Sequence, residues 1–300
     1  MIFGMTMYQM LWYFMIYSVL GWAIEVCYHA VTLGKVVNRG FLNGPVCPVY
    51  GSGVIMVLIV LYEIGQLFGI DTDLDSVSTS ILFIIGIIFA TFIELVAGFL
   101  LDKLFHARWW DYSNNKFNLN GYICLEFSII WGLAIAFVLR IVQPCFESLV
   151  DFIPKLPGMI LLIVFYLIFI ADIVITVLTV LRLNKELEKM QTIQNSINKI
   201  SDQMSELIGN TTIKAMDKLS EEKVEMAEKT GDIIENIQDK RNEYELKKAE
   251  LEDKFEHIKK EIMYQKIFGT RRLLIAFPNI KHQKFQKQLE ILLSKYKSIR

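Results

Sequence analysis

Apolar positions along the chain fall into five long runs, followed by a polar tail with helical periodicity. The runs lie near 7–30, 46–66, 79–101, 121–143 and 158–182. A hydrocarbon core of about 30 Å is crossed by roughly 20 helical residues, so each run is long enough to span a bilayer. Beyond Leu183 the pattern changes. Apolar residues recur by threes and fours at Leu187, Met190, Ile193, Ile197, Ile200, Met204 and Leu207. A second set comprises Ile237, Tyr244, Leu251, Phe255, Ile258 and Ile262. Such seams predict coiled-coil-like helices, broken at Gly209–Asn210–Thr211–Thr212 and at Gly231–Asp232. The expectation is an all-α polytopic membrane protein with five transmembrane helices and a long cytoplasmic helical tail. It divides into a membrane domain at 1–183, coiled-coil helices at 184–268 and a basic amphipathic segment at 269–300.

Composition sharpens this division. The chain is 53% hydrophobic with mean hydropathy +0.39, and nearly all its Trp and Phe precede residue 184. The net charge of -1 gives no reason to expect a nucleic-acid partner. The opening MIFGMTMYQM has no basic residue and no small-residue cleavage site, so no cleaved signal peptide is expected. Connections between runs alternate in charge. Lys35 and Arg39 follow the first run, and Asp71, Asp73 and Asp75 the second. Lys103, His106, Arg108 and Lys116 follow the third; Glu147, Asp151 and a single Lys155 follow the fourth. Arg182, Lys185 and Lys189 follow the fifth. Basic loops stay in the cytoplasm, so the expected topology is N-terminus outside and C-terminus inside, in the plasma membrane. Residues 43–53 are a candidate re-entrant segment, allowed at membrane depth only where protein or water covers the backbone. Cys27, Cys47 and Cys124 fall on the inner side and Cys145 on the outer, so no disulfide framework is expected.

Ionisable residues inside spans are costly and therefore candidates for function. Glu25, Glu94 and Glu126 fall at about one depth, roughly 8–10 Å from the cytoplasmic ends of their runs at 1.5 Å per residue. They predict a polar cluster beneath the basic loops. It reads as structural anchoring, as a site for a cationic or polar ligand, or as a metal or hydrolytic site. Glu25 and His29 have a usable i,i+4 ligand spacing, but no HExxH or CxxC accompanies them, so neither metal, cofactor nor catalytic residue is assigned. Asp172 is expected mid-span, either hydrogen-bonded or acting as a relay. Arg140 is expected to snorkel outward. Gly65 and Gly69, and the small face Gly86, Ala90 and Ala97, predict close helix packing.

Two loops carry the most specific pattern. One is VNRGFLNGPVCPVYG, Val37–Gly51; the other is LFHARWWDYSNNKFNLNGYICL, Leu104–Leu125. Their glycines, prolines and asparagines predict ordered turns. Asn38, Arg39, Arg108, Asp111, Asn118 and Asn120 are candidate ligand-binding residues. Asp111 is expected to pair with Arg39 or Arg108. These segments, with RRLLIAFPNI at Arg271–Ile280, resemble the bacterial membrane family called putative ABC-transporter type IV, the likeness covering residues 12–145 best. Lys116 and Tyr122 stand where that family often carries Pro and Arg.

The resemblance implies a permease-like component of a transport system. No GxxxxGK[ST] occurs, so any ATPase is expected to be a separate subunit. The chain is not expected to be an enzyme. The alternative is a membrane-anchored scaffold or sensor acting through its tail, with 184–268 forming a homo-oligomer or an intramolecular coiled coil. Past Gly269 the balance turns basic, which suits either anionic lipid or the acidic helix around Glu221, Glu222 and Glu225.

Overall fold

The computed structural model describes residues 4–34, 36–69, 74, 76–219, 226–264 and 269–297. Lys35, Asp71, Asp73, Asp75, Glu221, Glu222, Glu225 and Arg300 lie outside the described residues. The chain is 80% helical. Five helices are long and apolar enough to cross a membrane. They are α1 (Met7–Leu33), α2 (Pro48–Phe68), α3 (Thr79–Phe105), the stretch from α4 (Leu125–Phe137) to α5 (Gln143–Phe152), and the first part of α6 (Lys155–Leu219). A π-helical turn, Val138–Val142, joins α4 to α5.

Local signals set the ends. Thr6 and Gln9 form a capping box at the start of α1, and Ser78 caps α3. Pro48 opens α2, where its missing N–H costs nothing. Gly34 and Gly69 end α1 and α2 at φ 67 and 63. Gly69 is therefore a helix cap with no neighbour within 4 Å, rather than half of a packing motif. The expected fourth span began at 121, but α4 starts at Leu125. Residues 118–124 instead form a small hairpin of β2 (Asn118–Leu119) and β3 (Ile123–Cys124).

Small residues bring the helices together. A Cβ on Gly86 of α3 would lie 2.8 Å from Ile135 of α4, and one on Gly132 would lie 2.5 Å from Ile87. A Cβ on Gly51 of α2 would meet the Ser18 hydroxyl at 2.3 Å and the Phe14 carbonyl at 2.4 Å of α1. The core between these pairs holds Trp12, Tyr13, Tyr17, Val57, Leu82, Leu139 and Leu162. Tyr17 donates to Gln143 within it at 2.7 Å. Phe165 and Phe169 of α6 pack edge-on against Trp12 and Phe14. The other face of α6, with Leu167, Ile168 and Leu178 each at least 60% exposed, is unsuited to water and suited to lipid. Arg140, in the π turn, donates to the carbonyls of Leu74 and Val77. It thus ties down the α2–α3 connection at the bundle end opposite the two motif loops.

Two compact units result. One gathers Met1–Leu181 with Ile267–Gln286 and Leu293–Arg300; the other gathers Arg182–Lys266 with Lys287–Leu292. In the second, Arg182 of α6 reaches Glu261 of α7 (Met226–Tyr264) at 3.8 Å. Leu183, Leu187, Met190 and Ile197 are buried on α6, as are Phe255, Ile262 and Met263 on α7. Glu243–Lys247 and Glu250–Lys254 line the polar face of α7 at i,i+4. Neither expected break occurs: α6 runs through 209–212 and α7 through 231–232. A glycine inside a helix costs only about 1 kcal/mol, and neither place holds a proline. In the first unit, α8 (Thr270–Ala276) leads to β4 (Lys281–His282); α9 (Gln286–Lys297) follows.

Candidate functional site

The loop between α1 and α2 is built by its own asparagines. The Asn38 carbonyl oxygen accepts from Trp22 Nε1 at 2.8 Å and from the Gly40 N–H at 3.0 Å, while its amide donates to the Asn43 carbonyl at 2.8 Å. The next turn is held from α6. Asp172 accepts from the Asn43 N–H (3.0 Å), the Asn43 side chain (2.9 Å), the Gly44 N–H (2.7 Å) and Thr176 (3.2 Å). Asp172 is therefore the acceptor for non-helical backbone. Residues 48–53 of the candidate re-entrant stretch are simply the first turns of α2.

The loop between α3 and α4 is equally self-contained. Asn118 donates to the Asn115 carbonyl at 2.8 Å and accepts from the Gly121 N–H at 3.1 Å. Asn120 adopts φ 49 and offers its carbonyl to Arg108 at 2.9 Å. Trp110 donates to the Tyr122 carbonyl at 2.9 Å. Arg108 does not pair with Asp111. It meets Asp102, a carboxylate on α3 with 1% exposure, at 3.2 Å. Tyr122 donates to the same carboxylate at 2.5 Å and Gln283 at 2.6 Å. Nor does Asp111 pair with Arg39; its partners are Lys281 at 2.5 Å and Ser113. Burial works against ionisation of Asp111, but the hydrogen bonds from Lys281 and Ser113 outweigh it and bring the carboxyl to about 2.

The two loops meet. Phe41 of the first packs against Trp109 of the second at 5.0 Å and against Phe105 at 5.7 Å. Residues 269–286 lie across both. Arg272 donates to the carbonyls of Gly40 (2.6 Å) and Phe41 (2.7 Å) and to Asn43 (3.3 Å). Arg39 reaches the Ala276 carbonyl and stands over the Phe277 ring at 5.1 Å. Phe277 packs edge-on against Trp109 at 5.0 Å. β4 pairs antiparallel with β1 (Ala107–Arg108), placing Ala107 opposite His282. The buried His282 Nδ1 accepts the N–H groups of Lys284 and Phe285. Burial, then His106 and Lys284, push its imidazole down to about 4 against the pull of Asp102.

Of the three span glutamates, two are brought together. Glu25 accepts from Tyr50 at 2.6 Å, with His29 at 3.6 Å on the next turn. Glu94, 5% exposed, accepts from Trp131 Nε1 at 2.8 Å and from Tyr112 at 3.1 Å. The Tyr50 and Trp131 rings meet edge-on at 5.4 Å, so a short aromatic bridge connects the two carboxylates. One turn before Glu94, the buried Thr91 hydroxyl has no partner. Glu126 stands apart. It sits exposed in the first turn of α4 and takes a 3.1 Å bond from Asn115. Because α4 begins at Leu125, Glu126 does not reach the depth expected of it.

The arrangement places an acidic, aromatic-lined layer under ordered loops. Among the described residues, no group of three His, Cys, Asp or Glu is arranged to hold a metal ion. Asp102, Tyr50, Trp131 and Arg272 were not legible as site residues. Asp102 reads as an ordinary charge at a helix end, and Arg272 finds its partners more than 220 residues away. The sequence pattern of the family described as "Putative ABC-transporter type IV" matches residues 12–177. That is more than half of the 300 residues. The chain belongs to this family. No curated protein and no solved structure matches the chain. The family match spans both loops, Glu25, Glu94 and Asp172, and stops before residues 269–286. With the five apolar helices it marks a membrane protein related to transport.

Proposed function

We propose that the protein is the permease-like membrane component of a transport system, with its polar site at the cytoplasmic end of the bundle. In this reading the N-terminus is outside, the C-terminus is inside, the membrane is the plasma membrane, and ATP is hydrolysed by a separate subunit. The role is translocation or gating rather than enzymatic catalysis. The observation that carries it is Glu94. It is a buried carboxylate in an apolar helix whose bonding partners are two neutral donors, Trp131 and Tyr112. A carboxylate so placed is costly unless it is protonated or meets a cation, which is the chemistry a transport site uses. The unpartnered Thr91 hydroxyl adds polar capacity beside it. The candidate ligand is a small cationic or polar solute.

Glu94→Gln keeps the shape and the hydrogen-bond acceptor but removes the ionisable group. Function should be lost while membrane abundance and detergent stability stay within the wild-type range. Normal function in that variant refutes the site. Purification in mild detergent with cross-linking tests the partner: an ATPase captured through 37–51 or 104–125 is the expected result. A second reading, a scaffold or sensor, draws on the unbroken course of α6 from Lys155 to Leu219, which carries an apolar helix directly into a charged one. A homo-oligomer cross-linked through 184–268, with no ATPase, would favour it and would make the tail a coiled coil between copies.

A further inference from the structure

Residues 269–286 do more than fill a surface. They touch both loops at the places from which the two buried glutamates are held. On the first loop, Arg272 grips the Gly40 and Phe41 carbonyls, and the chain passes from there through Cys47 into α2, where Tyr50 donates to Glu25. On the second, Lys281 holds Asp111, and the next residue, Tyr112, donates to Glu94. Gln283 and Tyr122 share Asp102, and Tyr122 in turn takes Trp110 on its carbonyl. Both tyrosines therefore depend on loops that this one segment holds.

The docked arrangement also contains its own weakness. Two buried donors, Arg39 Nε and Trp109 Nε1, have no partner, and both side chains lie against Phe277. Buried groups of this kind favour any state in which water reaches them. Much of the remaining contact is polar: Arg272 to carbonyls, Lys281 to Asp111, Lys284 at 3.5 Å from His106. Such contacts exchange for water at little net cost. A contact made mainly by an apolar core would not.

We propose that residues 269–286 form a releasable latch over the Glu25/Glu94 site. Docked, the segment fixes both loops and keeps Tyr50 and Tyr112 on the carboxylates; released, it frees them and opens the site from the loop side. The latch rests on the reading of Glu25 and Glu94 as the working site, and it adds the element that controls access. The coupling is reciprocal: whatever displaces the tyrosines from the glutamates also weakens docking of the segment.

The test uses the full chain in lipid nanodiscs, comparing wild type with Arg272→Ala/Lys281→Ala. Hydrogen exchange is read for 38–47, 107–122 and 269–286. A hydrophobic carbodiimide, which reacts with buried protonated carboxyls, reports on Glu94. The variant should exchange at least tenfold faster in both loops and label Glu94 several-fold faster, while α1–α4 keep their protection. Faster exchange confined to 269–286, with both loops and Glu94 unchanged, overturns the latch. Arg272→Lys keeps the charge but not the three-way grip, and should fall between the two. A locked form covers the case in which the double variant misfolds. Ala107 and His282 face each other across the β1–β4 pair, where Cα atoms lie about 4.5–5.5 Å apart and within disulfide reach. Oxidised Ala107→Cys/His282→Cys should label more slowly than its reduced form; equal labelling overturns the proposal. Loss of function in Glu94→Gln with no effect of the latch variants removes the latch and leaves the site.

Discussion

Replacing Asp172 tests whether a carboxylate in an apolar helix serves the fold or the chemistry. Its two oxygens accept four hydrogen bonds, two of them from the backbone N–H groups of Asn43 and Gly44. Asp172→Ala leaves both N–H groups without an acceptor. The Asn43 side chain keeps a partner, because it also reaches Thr176 at 3.0 Å. An unsatisfied buried donor costs about 1–3 kcal/mol, giving about 2–6 kcal/mol for two. The site is only half-buried, so water relieves part of this and the expected loss is about 2–4 kcal/mol. Asp172→Asn keeps one acceptor but turns an NH2 group toward a donor, so it should lose about 1–3 kcal/mol. Unfolding by SDS in mixed micelles measures both. Tryptophan fluorescence is a suitable signal, since Trp22 is bonded to Asn38 in the same loop. The expected order is wild type, then Asn, then Ala, with function falling in step. An Ala variant within about 0.5 kcal/mol of wild type would refute the anchoring account. An Asn variant that is fully stable but inactive would make Asp172 a proton-carrying group instead.

Other outcomes follow from the same contacts. Gly51→Ala should sharply reduce the yield of folded protein, because its Cβ would strike Ser18 and the Phe14 backbone, whereas Gly53→Ala has open space and should be neutral or slightly stabilising. Docking of the 281–284 strand should weaken on acidification. The buried His282 is held at about 4 while an unfolded imidazole titrates near 6.5, so between these values the undocked state binds more protons and stability falls as pH drops. The full effect is on the order of 3 kcal/mol, and exchange rates at 281–284 from pH 7 to pH 4 should reveal it, with His282→Gln flattening the curve. Asp111, held near 2, should retain its pairing with Lys281 down to pH 4 and lose it progressively below, as seen by cross-linking of the two positions.

The five apolar helices were legible because crossing a bilayer imposes a length and a composition that the chain must display residue by residue. The site was legible only in part. Glu25 and Glu94 could be found as charges where none should be, but their tyrosine and tryptophan donors could not. Tyr50 and Trp131 look like any aromatic residue in a membrane helix. Glu126 was misplaced because Tyr122, Ile123 and Cys124 are apolar enough to extend a hydropathy run while folding as a strand. Gly65 and Gly69 show the opposite ambiguity, since one spacing serves both close packing and a helix cap. The tail breaks failed because a glycine marks a place where a helix is able to end, not one where it must. Arg272 was hidden by distance along the chain, which no local pattern encodes.

The π turn at Val138–Val142 has a consequence that no count of apolar residues detects. A helix advances about 100° per residue, so the extra residue in that turn resets the rotational phase of all that follows. Gln143 faces Tyr17 only in the resulting phase. Deleting any one residue between 138 and 142 would leave the span long enough and greasy enough, yet would swing Gln143 away from α1 by roughly a quarter-turn. Length variation among family members at this point would then record changes of handed alignment between two halves of a span, invisible to a hydropathy profile and plain in a three-dimensional comparison.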